Sequence, residues 1–426
     1  MVDRANLDAV VVGAGPAGSA AAIALVEAGR RVVLVDKATF PRDKICGDGL
    51  TTGALRLLER LGVEPKVIDS WTPVQNIHVG GPSGHTVVFP LPADRGHYAV
   101  VTRRMDLDAA VVDRARQVGA TVLEGTAVTG AVQCPNKVTL TLDDGSVLEA
   151  PYVIAADGMW SPLRKLLGTT VPGYLGEWHA FRQYFRNTGP LARDLWVWFE
   201  PDLLPGYVWS FPLPDGGANV GFGIQRGAKV TTKEMKALWP ELLARPHIAA
   251  VLGPQAEAES RHQAWPIPAR IDNIALTAGR VLWVGDAAAA TDPMTGEGIG
   301  QALETGLLAA EAIIAHGAAA SAGERSGFAP SRDHRVAAPI DDPAAVRDAY
   351  EAGVRRDLVA DHRMSLLLVR ALRHRKGARA AIRVAGLTPW TRRNFARWLF
   401  EDEPRAIAVT PRRWHKKFFR RDGAYR

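Results

Sequence analysis

The chain has 426 residues, 47% of them apolar and 23% charged, with a net charge of +7 and two cysteines, Cys46 and Cys134. This length and apolar fraction support a large core divided into two or three parts. Two cysteines exclude a disulfide framework and a cysteine-built zinc site, which fits a reducing compartment.

The N-terminal residues lack a signal-like pattern, and no apolar run reaches the roughly 18 residues of a membrane span, so a cytoplasmic location is expected. The histidines show no metal-ligand spacing and no Ser/His/Asp order suggests a hydrolase, so no metal site is expected. The charge is uneven: Arg363 to Arg426 carries 18 Lys/Arg against 4 Asp/Glu.

Residues 8–36 read as strand, glycine turn, helix, strand and terminal acid. Ala9 to Val12 is a continuous apolar run, as in a strand buried on both faces. Gly13 allows the sharp turn, Gly15 lets backbone N–H groups approach a pyrophosphate, and Gly18 lets the helix pack on the strand. The helix N-terminus would face the phosphates, and Asp36 stands where an acid accepts hydrogen bonds from a ribose. This fingerprint alone leaves FAD and NAD(P) open.

Lys37 to Leu50 follows as a basic, glycine-containing loop that suits an extended anionic cofactor. A helix is predicted over Thr51 to Leu61, a hairpin over Val74 to Leu91, and a helix over Ala109 to Val118. Val128 to Leu148 reads as a small antiparallel unit around Asp143-Asp144-Gly145. Tyr152 to Ala155 returns to a buried strand. From about Val171 to Ile274 the chain is strand-rich and aromatic, and reads as a second, antiparallel unit inserted into the first. Val281 to Asp286 resumes the nucleotide part, a helix follows over Gly298 to Ala315, Ala318 to Pro343 reads as a loop, and Ala344 to Leu372 as a helix.

Three later segments favour FAD. They are Ala156-Asp157-Gly158 with Ser161, Gly285-Asp286 closing a buried strand, and the glycine loop Pro293 to Gly300. A nicotinamide dehydrogenase needs none of them. A ribityl chain needs a carboxylate such as Asp286, and a reduced flavin edge needs N–H donors such as those starting the helix at Gly298.

With these segments the chain resembles the geranylgeranyl reductase family of FAD-dependent, aromatic-hydroxylase-like flavoproteins, and is similar to the family's bacterial menaquinone-chain reductases. The motifs that carry the resemblance are Gly13-x-Gly15-x-x-Gly18, Pro41 to Gly49, Arg104-x-x-Leu107-Asp108, Ala156-Asp157-Gly158, Gly285-Asp286, Asp292 to Ile299, and Tyr207-Val208-Trp209-Ser210-Phe211-Pro212 with Gly221-Phe222-Gly223 after it. The implied fold is α/β, a GR2-type Rossmann-like FAD-binding domain with an inserted antiparallel β-sheet substrate domain and a C-terminal helical region. The implied domain ranges are 5–75, 98–168 and 275–316 for FAD, 76–97 and 169–274 for substrate, and 317–426 for the helical, basic region.

By that resemblance Gly13, Gly15, Gly18 and Asp36 would hold the ADP half, with Pro16, Ala17 and Lys37 beside them. Arg104 and Asp286 would hold the pyrophosphate–ribityl region, Asp157 and Gly158 would lie near the nucleotide, and Lys44 would also bind the cofactor. The loop at Cys46, Gly47 and Asp48 and the segment Gly296 to Ile299, with Gly298 in it, would border the flavin ring, and Tyr207, Trp209, Phe211 and Pro212 would line a lipid cavity. Tyr207 and Trp209 share one face of a strand, which without the motif reads as core and with it as cavity lining. Cys46 serves as proton donor or as a small residue beside the flavin.

The implied activity is reduction of isoprenoid C=C bonds, with hydride from reduced FAD and a proton from Cys46, Tyr207 or a water, and Trp209 placed with them as a catalytic candidate. NAD(P)H is a candidate reductant, although one dinucleotide fingerprint is present; the electron donor is otherwise open. A flavin monooxygenase and a non-catalytic electron-transfer flavoprotein are the alternatives. The tail's basic residues alternate with Trp390, Phe395, Trp398, Phe400, Trp414, Phe418 and Phe419. That composition suits peripheral contact with anionic membrane or a helical cap packed on the body, and no nucleic-acid motif accompanies it.

Overall fold

A computed structural model describes residues 6–317, 341–400, 403–414 and 421–426. Residue 5, most of the loop expected over 318–343, and Phe418 and Phe419 lie outside the described residues.

The buried apolar runs lie side by side in a six-stranded sheet. Its order is Thr277–Ala278, Val281–Trp283, Tyr152–Ala155, Ala9–Val12, Val32–Val35, Thr121–Leu123. All neighbours are parallel except the first pair. The three central runs are buried at every residue, as parallel strands covered on both faces must be. Helix Pro16–Glu27 packs against Ile299–His316 so closely that a Cβ on Gly306 would strike the Ala17 backbone. The chain leaves the strand Ala9–Val12 for neighbours on both sides, which opens a crevice beyond the strands' C-terminal ends. Gly13, Asp36, Asp157 and Gly285 all follow those ends within two residues.

An antiparallel sheet stands beside the first. It runs Glu257–Ala258, Trp178–Arg186, Gly217–Gln225, Tyr207–Leu213, Leu195–Trp198, Asn76–Gly80, Thr86–Pro90, and Gln263–Ile267 also pairs with Trp178–Arg186. The expected hairpin is Asn76–Gly80 with Thr86–Pro90. It joins the later strands through a parallel pairing to Leu195–Trp198. The small sheet Val128–Gln133, Val138–Leu142, Val147–Ala150 turns at Gly145, whose φ of +81° suits glycine.

The helix expected from Ala109 begins at Arg104. Nothing in Arg104 to Asp108 breaks a helix, and a bidentate Arg104–Asp108 pair at i,i+4 closes its first turn. The helix expected over Ala344 to Leu372 is Pro343–Val354 and Ala360–Leu372 joined by a π turn at Arg355–Val359. Two further helices, Arg375–Gly386 and Pro389–Leu399, lie on the hairpin. Ile382, Ala385 and Ala396 are buried there with Val87 and Phe89, and the Phe89 and Phe395 rings are 5.2 Å apart.

Candidate functional site

One cavity of about 640 Å³ runs from the glycine turn to the antiparallel sheet and the C-terminal helices. At the turn, Gly13 has φ +101°, and a Cβ there would overlap the Ala156 carbonyl. A Cβ on Gly15 would meet nothing nearer than Arg42 Nη2 at 3.8 Å, so the backbone here is open to a ligand. No side chain caps the helix that begins at Pro16, so its N-terminal N–H groups and dipole are available to an anion.

Asp36 lines the cavity but also holds the turn together, accepting from the Ala14 amide at 2.7 Å and the Ala38 amide at 2.8 Å. Two such bonds leave a carboxylate lone pairs for a ribose. Gly18 does not line the cavity; its missing Cβ admits the Gly13 carbonyl and Ala156, so its part is in packing.

The loop after Asp36 and the start of the helix Arg104–Gln117 bring three cations to the cavity. Arg104 is buried and locked on Asp108, and Arg42 Nη1 reaches the same carboxylate at 3.0 Å. Lys44 lies 3.7 Å from the centre of the Trp265 ring; burial lowers its pKa, and Asp286 opposes that shift. Asp286 follows the strand Val281–Trp283 and lines the cavity. Asp157 also lines it, but its oxygens accept from Ser161 Oγ at 2.7 Å and the Leu163 amide at 2.8 Å, which caps the short helix Pro162–Leu166.

The glycine loop is held by one buried carboxylate. Asp292 Oδ1 accepts from the amides of Met294 and Thr295, each at 2.9 Å, and Oδ2 from Ser365 Oγ at 2.6 Å. Arg405, from the tail, completes the cluster with Nη1 2.9 Å from Oδ1 and Nη2 3.2 Å from Thr295 Oγ1. Burial alone would raise the Asp292 pKa, but Arg405, Ser365 and the Thr295 groups outweigh it and hold the carboxyl below its ordinary value. The helix beyond starts at Ile299, with the Gly300 amide donating to Glu297 Oε1 at 2.9 Å. Nothing in the sequence of the tail singles out Arg405.

Tyr207, Trp209 and Phe211 all line the cavity, consistent with strand alternation. Gly221, opposite Trp209 in the register, has no Cβ to displace the indole. The Tyr207 hydroxyl donates to the Thr295 carbonyl, and burial raises its pKa. Cys46 also lines the cavity, and burial pushes its thiol up while Arg104 pulls it down.

Pro212 is a correction. It does not line the cavity, because the two-residue alternation turns it, with Val208 and Ser210, to the other face. The sequence reading also missed the far wall. Ile77 and Val79 come from the hairpin, and Leu368, Leu372, Ile382, Phe395, Trp398 and Phe400 from the tail. Phe395, Trp398 and Phe400 of the tail therefore face inward, whereas Trp390 and Trp414 are exposed.

These features fit FAD: a tight turn at Gly13 with open backbone at Gly15, an uncapped helix start, cations beside it, and an apolar extension beyond. The sequence pattern of the FAD binding domain family matches residues 6–324. A menaquinone reductase of Mycolicibacterium smegmatis is 35% identical over 334 residues, 73% of this chain and 77% of its own. The chain belongs to the FAD-dependent geranylgeranyl reductase family.

Another relative, the digeranylgeranylglycerophospholipid reductase of Methanothrix thermoacetophila, is 30% identical over 313 residues, 72% of this chain and 77% of its own. The crystal structure of a geranylgeranyl bacteriochlorophyll reductase-like protein from Thermoplasma acidophilum shares the fold with a TM-score of 0.75, at 20% identity over 96% of this chain and 99% of that one. As a member of the geranylgeranyl reductase family the chain is an oxidoreductase with FAD as its cofactor. Arg405 and the C-terminal wall lie beyond the matched domain.

Proposed function

We propose that this geranylgeranyl reductase family member reduces C=C bonds in the isoprenoid chain of a lipid, a menaquinone-like polyprenyl quinone or a geranylgeranyl lipid. The observation that carries this reading is the continuity of one cavity from a nucleotide turn to an aromatic and aliphatic slot. The relatives named above act, by their names, on lipids of this kind. Bound and reduced, FAD supplies the hydride chemistry.

The amides at Gly13 and Gly15 and the helix start at Pro16 and Ala17 would hold the diphosphate, with Asp36 and Lys37 at the ribose. Lys44, Arg104 and Asp286 would follow the ribityl side, near Asp157 and Gly158. Cys46, Gly47, Gly296, Gly298 and Ile299 would border the ring. Tyr207, Trp209 and Phe211 hold the alkene and exclude water. An unactivated alkene has no oxygen to polarise, so orientation in a dry slot carries much of the effect. The division into FAD, substrate and C-terminal parts given above is proposed with this reading, and NAD(P)H, bound transiently, is the proposed reductant.

The C-terminal helices also present a membrane-facing surface in this proposal. Leu367, Val384, Leu387 and Trp390 are exposed among Arg370, Arg373, Lys376, Arg383 and Arg393. Exposed Ala371 and Ala381 line the cavity, so its mouth lies within this basic, apolar surface. Such a surface suits anionic lipid. No described helix is long and apolar enough to cross a membrane.

The test is anaerobic incubation of dithionite-reduced, FAD-loaded protein with menaquinone or geranylgeranyl lipid, followed by mass spectrometry. Products heavier by pairs of hydrogens are expected. Unchanged lipid would sink the reading, and an oxygen-dependent gain of one oxygen atom would identify a monooxygenase instead.

A further inference from the structure

The glycine loop before the helix Ile299–His316 carries an acid, Glu297, between Gly296 and Gly298. Glu297 lines the cavity and is half-buried. Its main chain is fixed: its carbonyl accepts from the Asp292 amide at 2.8 Å, and its amide donates to Thr295 Oγ1 at 3.3 Å. Arg405 holds both of those partners. Glu297 Oε1 accepts from the Gly300 amide at 2.9 Å, in the first turn of the helix, which ties the carboxylate to the helix start.

The charge of this carboxylate reaches two walls of the chamber. Burial is the main cause that raises the Cys46 thiol and the Tyr207 hydroxyl, and the charge of Glu297 adds to both shifts. Lys44, Arg104 and Asp286 line the same cavity.

A helix start offers a partial positive charge and N–H groups, which suit the edge of a reduced flavin. Here the chain sets a full negative charge of its own against those groups. We propose that Glu297 lowers the reduction potential of the bound flavin, and so makes the reduced cofactor a stronger hydride donor. The proposal rests on the reductase reading, which puts this loop beside the ring. Glu297 acts through its field, without giving or taking an atom.

Reduction of the flavin takes up two electrons with one or two protons. With one proton the ring ends negatively charged, and a nearby carboxylate raises the energy of that state. With two it ends neutral, having bound a second proton that at pH 8 a ring in water would release. Either way, at pH 8 the reduced form is less favoured than it would be beside a neutral side chain. An alkene with no oxygen to polarise gives the enzyme little to pull on, so a strongly reducing donor suits it.

The test is the midpoint potential of FAD-loaded protein at pH 8, measured by equilibration with a reference dye. Glu297→Gln keeps the size of the side chain and an oxygen that accepts from Gly300, and removes the charge. At a given potential its ratio of reduced to oxidised flavin should be at least about tenfold higher, a midpoint about 30 mV more positive for a two-electron couple. Glu297→Asp, which keeps the charge, should stay within about threefold of wild type. The reduced Gln variant should also transfer hydride to lipid more slowly than reduced wild type.

An unchanged or more negative midpoint in Glu297→Gln overturns the proposal, and so does a Glu297→Asp shift as large as that of the Gln variant, which would assign the effect to shape. Wild type that reduces no lipid while the midpoint shift is present removes the reductase reading and leaves the role of Glu297 on the flavin standing.

Discussion

The two ends of the cavity are built from different materials. The nucleotide end is made of backbone: Gly13, Gly15, an uncapped helix start, and an Asp36 that braces the turn. The other end, where the proposal puts the lipid, is made of large side chains from the hairpin, the antiparallel sheet and the tail. Backbone geometry is set by a dozen consecutive residues, whereas a wall of side chains from distant segments depends on every segment that contributes. The first therefore should fail abruptly on a single change, and the second by degrees.

The sharpest break expected is Gly13→Val. Its Cβ has no room against the Ala156 carbonyl at φ +101°. FAD affinity, measured by flavin fluorescence, should fall by at least about 100-fold, or ~3 kcal/mol. Retained affinity would mean that the turn has more freedom than its packing implies.

Next is Arg405→Met, which leaves the buried Asp292 without its cation and should cost about 3 kcal/mol in urea unfolding. Adding Asp292→Asn should recover part of the loss. Because the Asp292 pKa is lowered by folding, its contribution is complete above the ordinary value of 3.8 and is lost as pH falls below it. Asp48 has the opposite sign. Its folded value of about 6 exceeds the ordinary 3.8, so its ionisation penalises the fold increasingly between those values and fully above about 6. Asp48→Asn should accordingly gain thermal stability relative to wild type at pH 8 but not at pH 4.

A graded loss is expected at the far wall. Phe395→Ala should raise KM for a long isoprenoid lipid about tenfold, ~1.4 kcal/mol, with FAD binding unchanged. An unchanged KM would place the chain elsewhere. The smallest effect should come from the exposed surface. Arg383→Gln should weaken binding to anionic vesicles several-fold, about 1 kcal/mol, and more visibly at low salt, while activity in detergent is unaffected. Equal binding to zwitterionic vesicles would argue against an electrostatic contact.

The same contrast decides how much was legible in the sequence. The turn could be read because each glycine answers a local steric demand at fixed spacing. Tyr207, Trp209 and Phe211 were readable as a motif, but treating the motif as a unit brought in Pro212, which period-two alternation turns away. Phe395 was read only as a tail aromatic for a membrane surface or a cap, and Ile382 gave no signal, since an apolar residue on a helix reads as core wherever that core is. Arg405 was one arginine among the 18 Lys/Arg of the last 64 positions, and its burial depends on Asp292 far away in the chain. Asp48 was readable as a loop acid; its hydrogen bonds with residues on two strands were not.

The Arg405–Asp292 pair also has a consequence for biosynthesis. The two residues are 113 positions apart. A nascent chain emerging from the ribosome can form the parallel sheet and its glycine turn long before Arg405 is made, and with it a place for the cofactor's adenosine end. The ion pair that completes the Asp292 loop cannot form until Arg405 has been made. A chain arrested before Arg405 would thus present the loop that the proposal places beside the flavin ring without its buried cation.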